Sequence, residues 1–501
     1  MTRLSLWGGA LFALSAPTCL AQKSQVTLDT SETLFTVLTA VNTCGYDSEL
    51  NVSDPLRAEI RSEVAKNMQA SEDAKTAADQ ICEFYQNSQQ ADPSRTLSQY
   101  VSLALYLDGP PTLAPKVKES DLPPDANAVA GILPALQKFY AADGLHAIWQ
   151  RHEAAYAEFT QRYHDALAKM LFDTEIYLKM PSAGYLGRGF TVYLDPMGAP
   201  GQTNARNYAA DYYIVISPGK TPSLKMEQIR HTYLHYLIDP LSLKYPDAAK
   251  RLGPLLEVVK TAPMDESFKT DASLLVTECL IRAVEARTEG NKKDAETLRQ
   301  RAVDASMEQG FVLTQYFYDA LAQFEKDSAG LRNVFGSMLV GIDVRKEQRR
   351  ASQIQFATKA DPELLHLSRP VEGKLLQTAE QRLSAGDAAS AQKLAQQALD
   401  EKSEDPGRAL FILAQAATMN RKINDARDYF QKALQNTREP KVVAWSHIYL
   451  GRIFDLQEDR DAALGEYRAA AGASTSLPEA KAAAEQGLQQ PYEPPSHPQE
   501  Q

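Results

Sequence analysis

The sequence predicts a mainly α fold with one small β-sheet, its strands near residues 190–217, followed by a C-terminal array of paired α-helices. Three observations carry this. Long stretches of Ala, Leu, Glu and Gln at helical spacing fill most of the chain. Only residues 190–220 gather β-branched and aromatic residues between Pro and Gly. Toward the C-terminus a pattern of small residues recurs after 35 and then 37 positions.

The 501 residues, 44% of them apolar, suffice for two or three domains with their own cores. The chain opens on MTRLSLWGGALFALSAPTCLAQ, where Arg3 precedes an apolar stretch of about a dozen residues and small residues end at Ala21, the pattern of a secretory signal. That stretch is shorter than the roughly 20 residues of a membrane-spanning helix, and Pro17 interrupts it. Residues 1–21 are therefore expected to be a cleaved signal peptide. The mature protein is expected to be periplasmic or extracellular, without membrane insertion.

A net charge of −11 argues against general binding to nucleic acid or anionic lipid, which needs clustered Lys and Arg. The sequence has no nucleotide-binding glycine loop, nucleophile elbow or paired-cysteine redox motif. After cleavage Cys44, Cys82 and Cys279 remain. Either Cys44 pairs with Cys82 in an oxidising compartment, or all three are small buried residues.

From about residue 29 to 175 helices are expected, with DGPPTLAPK and ESDLPPDANA as connecting loops. His146, His152 and His164 do not stack on one helical face and are read as surface or packing residues. FTVYLDPM and NYAADYYIVISPGK are expected as two strands. Thr221 then supplies an N-cap with Pro222 at the first helical position, and this helix should end at Asp239, where Pro240 stops it. Helices resume after Pro254 and continue to about 350, and KADPELLHLSRP is a linker. Residues 366–488 form the array, and the proline-rich tail 489–501 is expected to be disordered.

Within the array, Ala391 and Ala398, Ala426 and Ala433, and Ala463 and Ala470 are the recurring pairs. Leu450, Gly451, Phe454 and Tyr467 surround the third pair; Leu413, Ala414 and Phe430 the second; Ala379 and Gly386 the first. Small residues let two helices approach, while large apolar ones fill the groove against the next unit. The pattern resembles the tetratricopeptide repeat (TPR) over about 110 residues. The resemblance implies stacked helix hairpins whose concave groove binds a protein or peptide; alternatively, the hairpins simply cap the domain before them.

In IRHTYLHYLIDP, His231 and His235 lie four apart, one turn apart on the same helix face, where two imidazoles can share a metal ion. Strands, a turn and then a two-histidine helix resemble the gluzincin zinc peptidases over roughly residues 190–290. The resemblance implies a third ligand on a later helix. That role falls on Glu278 in LLVTECLIRAVEAR, with Glu285 two turns on. It thus implies zinc on His231, His235 and Glu278 in a metallopeptidase-like domain spanning residues 22–365.

The family's HExxH motif is H-T-Y-L-H here. Thr232 stands where the glutamate general base belongs, and a hydroxyl does not accept a proton from metal-bound water near neutral pH. Losing such a base costs on the order of 10²–10⁴ in rate. No residue is therefore assigned a catalytic role, and the domain is expected to be an inactive relative of the peptidases fused to a scaffold. Glu227 and Asp239 extend the four-residue spacing on either side. Each is a ligand, an imidazole partner, a substitute base or a solvated charge near a helix end. An alternative reading is an active zinc hydrolase with Glu227 as base. A third is a helical interaction protein whose histidines bind nothing.

Overall fold

One sheet organises the molecule. Its strands are β1 (Val26–Asp29), β2 (Phe190–Leu194), β3 (Asn204–Tyr208), β4 (Asp211–Ile216) and β5 (His366–Leu367), in the order β1-β2-β4-β3-β5. Both β1 and β4 run parallel to β2, β3 is antiparallel to β4, and β5 is parallel to β3. The computed structural model describes residues 26–180, 188–208, 211–289, 295–361, 366–367, 374–474 and 477–493. The expected signal peptide, residues 1–21, and residues 494–501 of the expected tail lie outside them.

The sheet corrects the two-strand expectation. The stretch 207–220 holds the end of β3 and all of β4, with Tyr208 opposite Asp211. β3 starts at Asn204, in a segment whose Asn and Arg residues carry little β signal. β1 and β5 are too short to show alternation. β5 falls in the stretch read as a linker, and its pairing of Arg206 with His366 and Asn207 with Leu367 makes residues 366–367 part of the first domain's sheet.

Side chains alternate across the pleat. On one face Phe190 and Tyr212 pack against Tyr236 of the helix Met226–Ser242, with ring centroids 5.7 Å apart in each case. On the other face Tyr193 and Tyr213 stack at 6.5 Å. Both faces are covered, which is why β2 is buried at every position.

Before β2, helices Glu32–Thr43, Pro55–Ala70, Glu72–Asn87, Pro93–Leu105, Leu133–Asp143 and Leu145–Leu178 build the first part of the core. Asp54 and Asp92 cap two of them, each followed by proline at the first helical position. ESDLPPDANA is not all loop, because Pro124 opens the short helix Pro124–Val129. A disulfide joins Cys44 to Cys82, while Cys279 is free and buried. Among the described residues no helix is long and apolar enough to cross a membrane.

The histidine helix departs from its expected ends at both termini. It begins at Met226, with Lys225 at the cap position. The preceding chain is held elsewhere by Lys220 N–H to Val52 O at 2.9 Å and Asp54 N–H to Pro218 O at 3.3 Å, and Thr221 Oγ1 bonds Ser223 Oγ at 2.8 Å. At its other end the helix passes through Pro240 to Ser242. A proline leaves the carbonyl four residues earlier without its N–H; here that carbonyl belongs to Tyr236, and the Arg188 guanidinium donates to it instead.

The array consists of the helix pairs Leu375–Ser384 with Ala388–Glu401, Pro406–Met419 with Ile423–Asn436, and Pro440–Leu456 with Arg460–Ala473, then a last helix, Pro478–Gln489. All six recurring alanines are buried. A Cβ on Gly451 would lie 2.7 Å from the Tyr467 ring, so this glycine permits the close approach of the third pair. Residues 490–493 differ from the expected disorder: Tyr492 N–H donates to Asp455 Oδ2 at 2.8 Å, and Arg452 lies 5.0 Å over its ring. The array docks on the sheet's outer face, where Lys441 pairs with Asp211 and Thr191 donates to Glu479.

Candidate metal centre

The helix Met226–Ser242 packs against the helix Ala272–Thr288, which Asp271 caps by accepting from Ser273 N–H at 2.8 Å. This pairing brings together all three expected ligands. One ligand atom from each of His231, His235 and Glu278 lies within 4.8 Å of the others. Glu278 Oε2 is 3.1 Å from His235 Nε2 and 3.6 Å from His231 Nε2.

The two carboxylate–imidazole separations fit a shared metal ion. Two atoms each about 2.0–2.1 Å from a tetrahedral ion lie about 3.4 Å apart, and the two Nε2–Oε2 distances fall on either side of that value. The outward nitrogens are also fixed, His231 Nδ1 by Glu285 Oε1 at 3.0 Å and His235 Nδ1 by Asp239 Oδ1 at 2.9 Å. A carboxylate on the outer nitrogen puts the proton there and leaves Nε2 as a lone-pair donor facing inward. Arg282 Nε donates to Glu278 Oε1 at 2.6 Å, so Oε2 is the oxygen left for a cation. The three carboxylates Glu278, Glu285 and Asp239 face two guanidinium groups, Arg282 beside Glu278 and Arg230 near Glu285, which leaves one negative charge in excess for a cation to offset.

Without a cation the cluster becomes an ion pair. Burial opposes charge on His235, but Asp239 and Glu278 outweigh it and hold the imidazole pKa up at about 10. Burial likewise raises Glu278, but His231, Arg282 and His235 outweigh it and hold the carboxyl well below its ordinary range. The side chains of His231, His235 and Glu278 are 4%, 2% and 3% exposed, so a peptide cannot lie against the three ligand atoms unless the helices part.

Thr232 is fully buried, and its Oγ1 donates to Gln228 O at 3.0 Å, a back-bond within the helix. Glu227 stands exposed in the first turn, apart from the enclosed group. Asp239 and Glu285 emerge as imidazole partners, and Tyr212 OH donates to Asp239 Oδ2 at 2.6 Å, extending the chain of contacts to β4. Arg282 escaped the sequence reading, although its place four residues after Glu278 put it on the same helix face. The remaining N-terminal histidines pair with nearby acids, His146 with Glu32 at 2.7 Å, His152 with Glu63 at 2.9 Å and His164 with Asp165 at 2.9 Å.

No protein-family model, curated protein or solved structure matches this chain.

Proposed function

We propose that this chain is an exported scaffold protein in which a gluzincin-like domain without a general base keeps zinc on His231, His235 and Glu278, joined to a tetratricopeptide-type array that makes protein contacts. The observation that carries this reading is the enclosed ligand set, with each outer imidazole nitrogen on a carboxylate and a back-bonded threonine at position 232. Bound there, zinc would supply a Lewis-acid link between two helices. The protein's own part is to hold both imidazoles in one tautomer, to keep Glu278 ionised beside Arg282, and to exclude water. Lys441 of the helix Pro440–Leu456 already pairs with Asp211 of the sheet, so a peptide binding at that place has to displace this contact.

Elemental analysis of the purified native protein tests this, with His231→Ala/His235→Ala beside it. Near-stoichiometric zinc that disappears in the variant is expected. No zinc in either protein leaves a second reading, favoured by the direct 3.1 Å contact of His235 with Glu278, in which the cluster is a metal-free ion pair. Chelator-sensitive peptide cleavage that is lost in Glu227→Gln would instead establish the active hydrolase.

A further inference from the structure

Between the sheet and the array lies a cavity of about 150 Å³. A cavity of about that volume accommodates a molecule the size of benzene. One wall is aromatic: the Tyr208 ring lies 4.6 Å from Tyr106, edge to face, and 6.0 Å from Tyr213. Val117, Leu122 and Pro123 add apolar surface beside it, and Pro440 and Leu477 supply more from the array.

The three phenols differ in what they bond. Tyr208 OH shares a 2.5 Å hydrogen bond with Ser102 Oγ. The hydroxyls of Tyr106 and Tyr213 bond no protein atom among the described residues, and neither is among the polar atoms sealed from solvent. Both residues line the cavity, so a molecule seated there is the partner available to them. Burial pushes both phenols well above their ordinary range, so each keeps its proton and can donate. The charged groups of the lining, by contrast, are matched among themselves. Arg408 donates two hydrogen bonds of 2.7 Å to Glu380, Lys441 pairs with Asp211, and Asp121 accepts from Lys374 at 2.7 Å. Lys116 has Asp108 and Glu479 beside it, and Glu439 has Arg408 and Lys441. A charged ligand would enter this balanced set without a counter-ion of its own.

We infer that this cavity is a binding site for a small monocyclic phenol in its neutral form. The ligand's ring packs edge to face or offset against the three tyrosines. Its hydroxyl, donor and acceptor at once, serves Tyr106 or Tyr213. Because the walls come from both the sheet and the array, such a ligand braces one against the other and stabilises the folded chain by mass action. None of His231, His235 and Glu278 lines the cavity, so the inference stands whether or not zinc binds them.

Ligand-observed NMR titration of the mature full chain with phenol, near neutral pH where phenol keeps its proton, tests the inference. Benzene, which lacks the hydroxyl, and benzoate and benzylammonium, which add a charge, are titrated beside it. Phenol should bind saturably, and each of the three controls should bind about threefold or more weakly. Tyr106→Phe and Tyr213→Phe keep the aromatic wall and remove no hydrogen bond within the protein among the described residues. At least one of them should weaken phenol about threefold or more while leaving benzene unchanged. The inference is overturned if phenol does not saturate, if benzene or either ion binds as tightly as phenol, or if both variants bind phenol like the unaltered chain.

Discussion

Arg188 donates to the main-chain carbonyl of Tyr236, the acceptor that Pro240 leaves empty, and its guanidinium lies 4.4 Å over the Tyr236 ring. This contact lets the helix continue through the proline and keeps Asp239 one turn beyond His235, within reach of its Nδ1. A residue just before β2 thereby sets the geometry of the candidate metal centre.

Replacing Arg188 with Met should destabilise the fold by about 1–3 kcal/mol, because a buried carbonyl loses its donor. In a Pro240→Ala background, where the helix supplies its own N–H, the same replacement should cost less. Urea unfolding of the two single variants and the double variant measures this coupling, and strict additivity would refute the role given to Arg188.

If His231, His235 and Glu278 hold zinc as proposed, Asp239→Asn and Glu285→Gln should each weaken its binding about 10–100-fold, since each removes the anion that orients an imidazole. Competition against a chelating dye reads the change. Unaltered affinity in both variants would show that the outer carboxylates do not tune the site.

Asp195 is fully buried, and burial pushes its carboxyl up to about 7 against the opposing effects of the Met197 N–H and Arg57. The folded state therefore holds this proton more tightly than the unfolded chain. Its contribution is greatest below about pH 4, declines as pH rises toward about 7, and levels off above that, a span on the order of 4 kcal/mol. Unfolding free energies at pH 4.5 and 7.5 should diverge between the unaltered chain and Asp195→Asn; parallel values would place the titration elsewhere.

Two glycines in the array should respond oppositely to alanine. Gly451→Ala drives a Cβ to 2.7 Å from the Tyr467 ring and should cost about 1–3 kcal/mol. Gly465, inside the helix Arg460–Ala473, has open space around its Cβ position, so Gly465→Ala should stabilise by about 0.4–1 kcal/mol. Thermal melts of both variants decide this, and shifts of the same sign would contradict it.

Local features were the legible ones. The helix pairs of the array could be read from alanines at fixed intervals, because two helices in close contact have no room for larger residues at those places. His231 and His235 could be read because four residues make one turn. Only resemblance joins them to Glu278 in the sequence, and the fold brings all three together. What escaped depends on distant partners. Pro240 signals a stop unless Arg188, far back in the chain, supplies the missing hydrogen. Two residues of β5 carry no periodicity until Arg206 and Asn207 stand beside them. Lys116 and Glu439, more than three hundred positions apart, line one space between the sheet and the array.

The sheet's two edges carry a mechanical consequence. β1 and β5 are its outermost strands; the chain leaves β5 to build the array, and the final helix comes back to pack on β1. The array is thus a bow strung across the sheet from rim to rim, with Lys441 and Asp211 as a rivet near its middle. A bow fastened at both tips does not swing like a tethered module. Loosening it strains both tips together, so the two halves of the chain should melt in a single calorimetric transition.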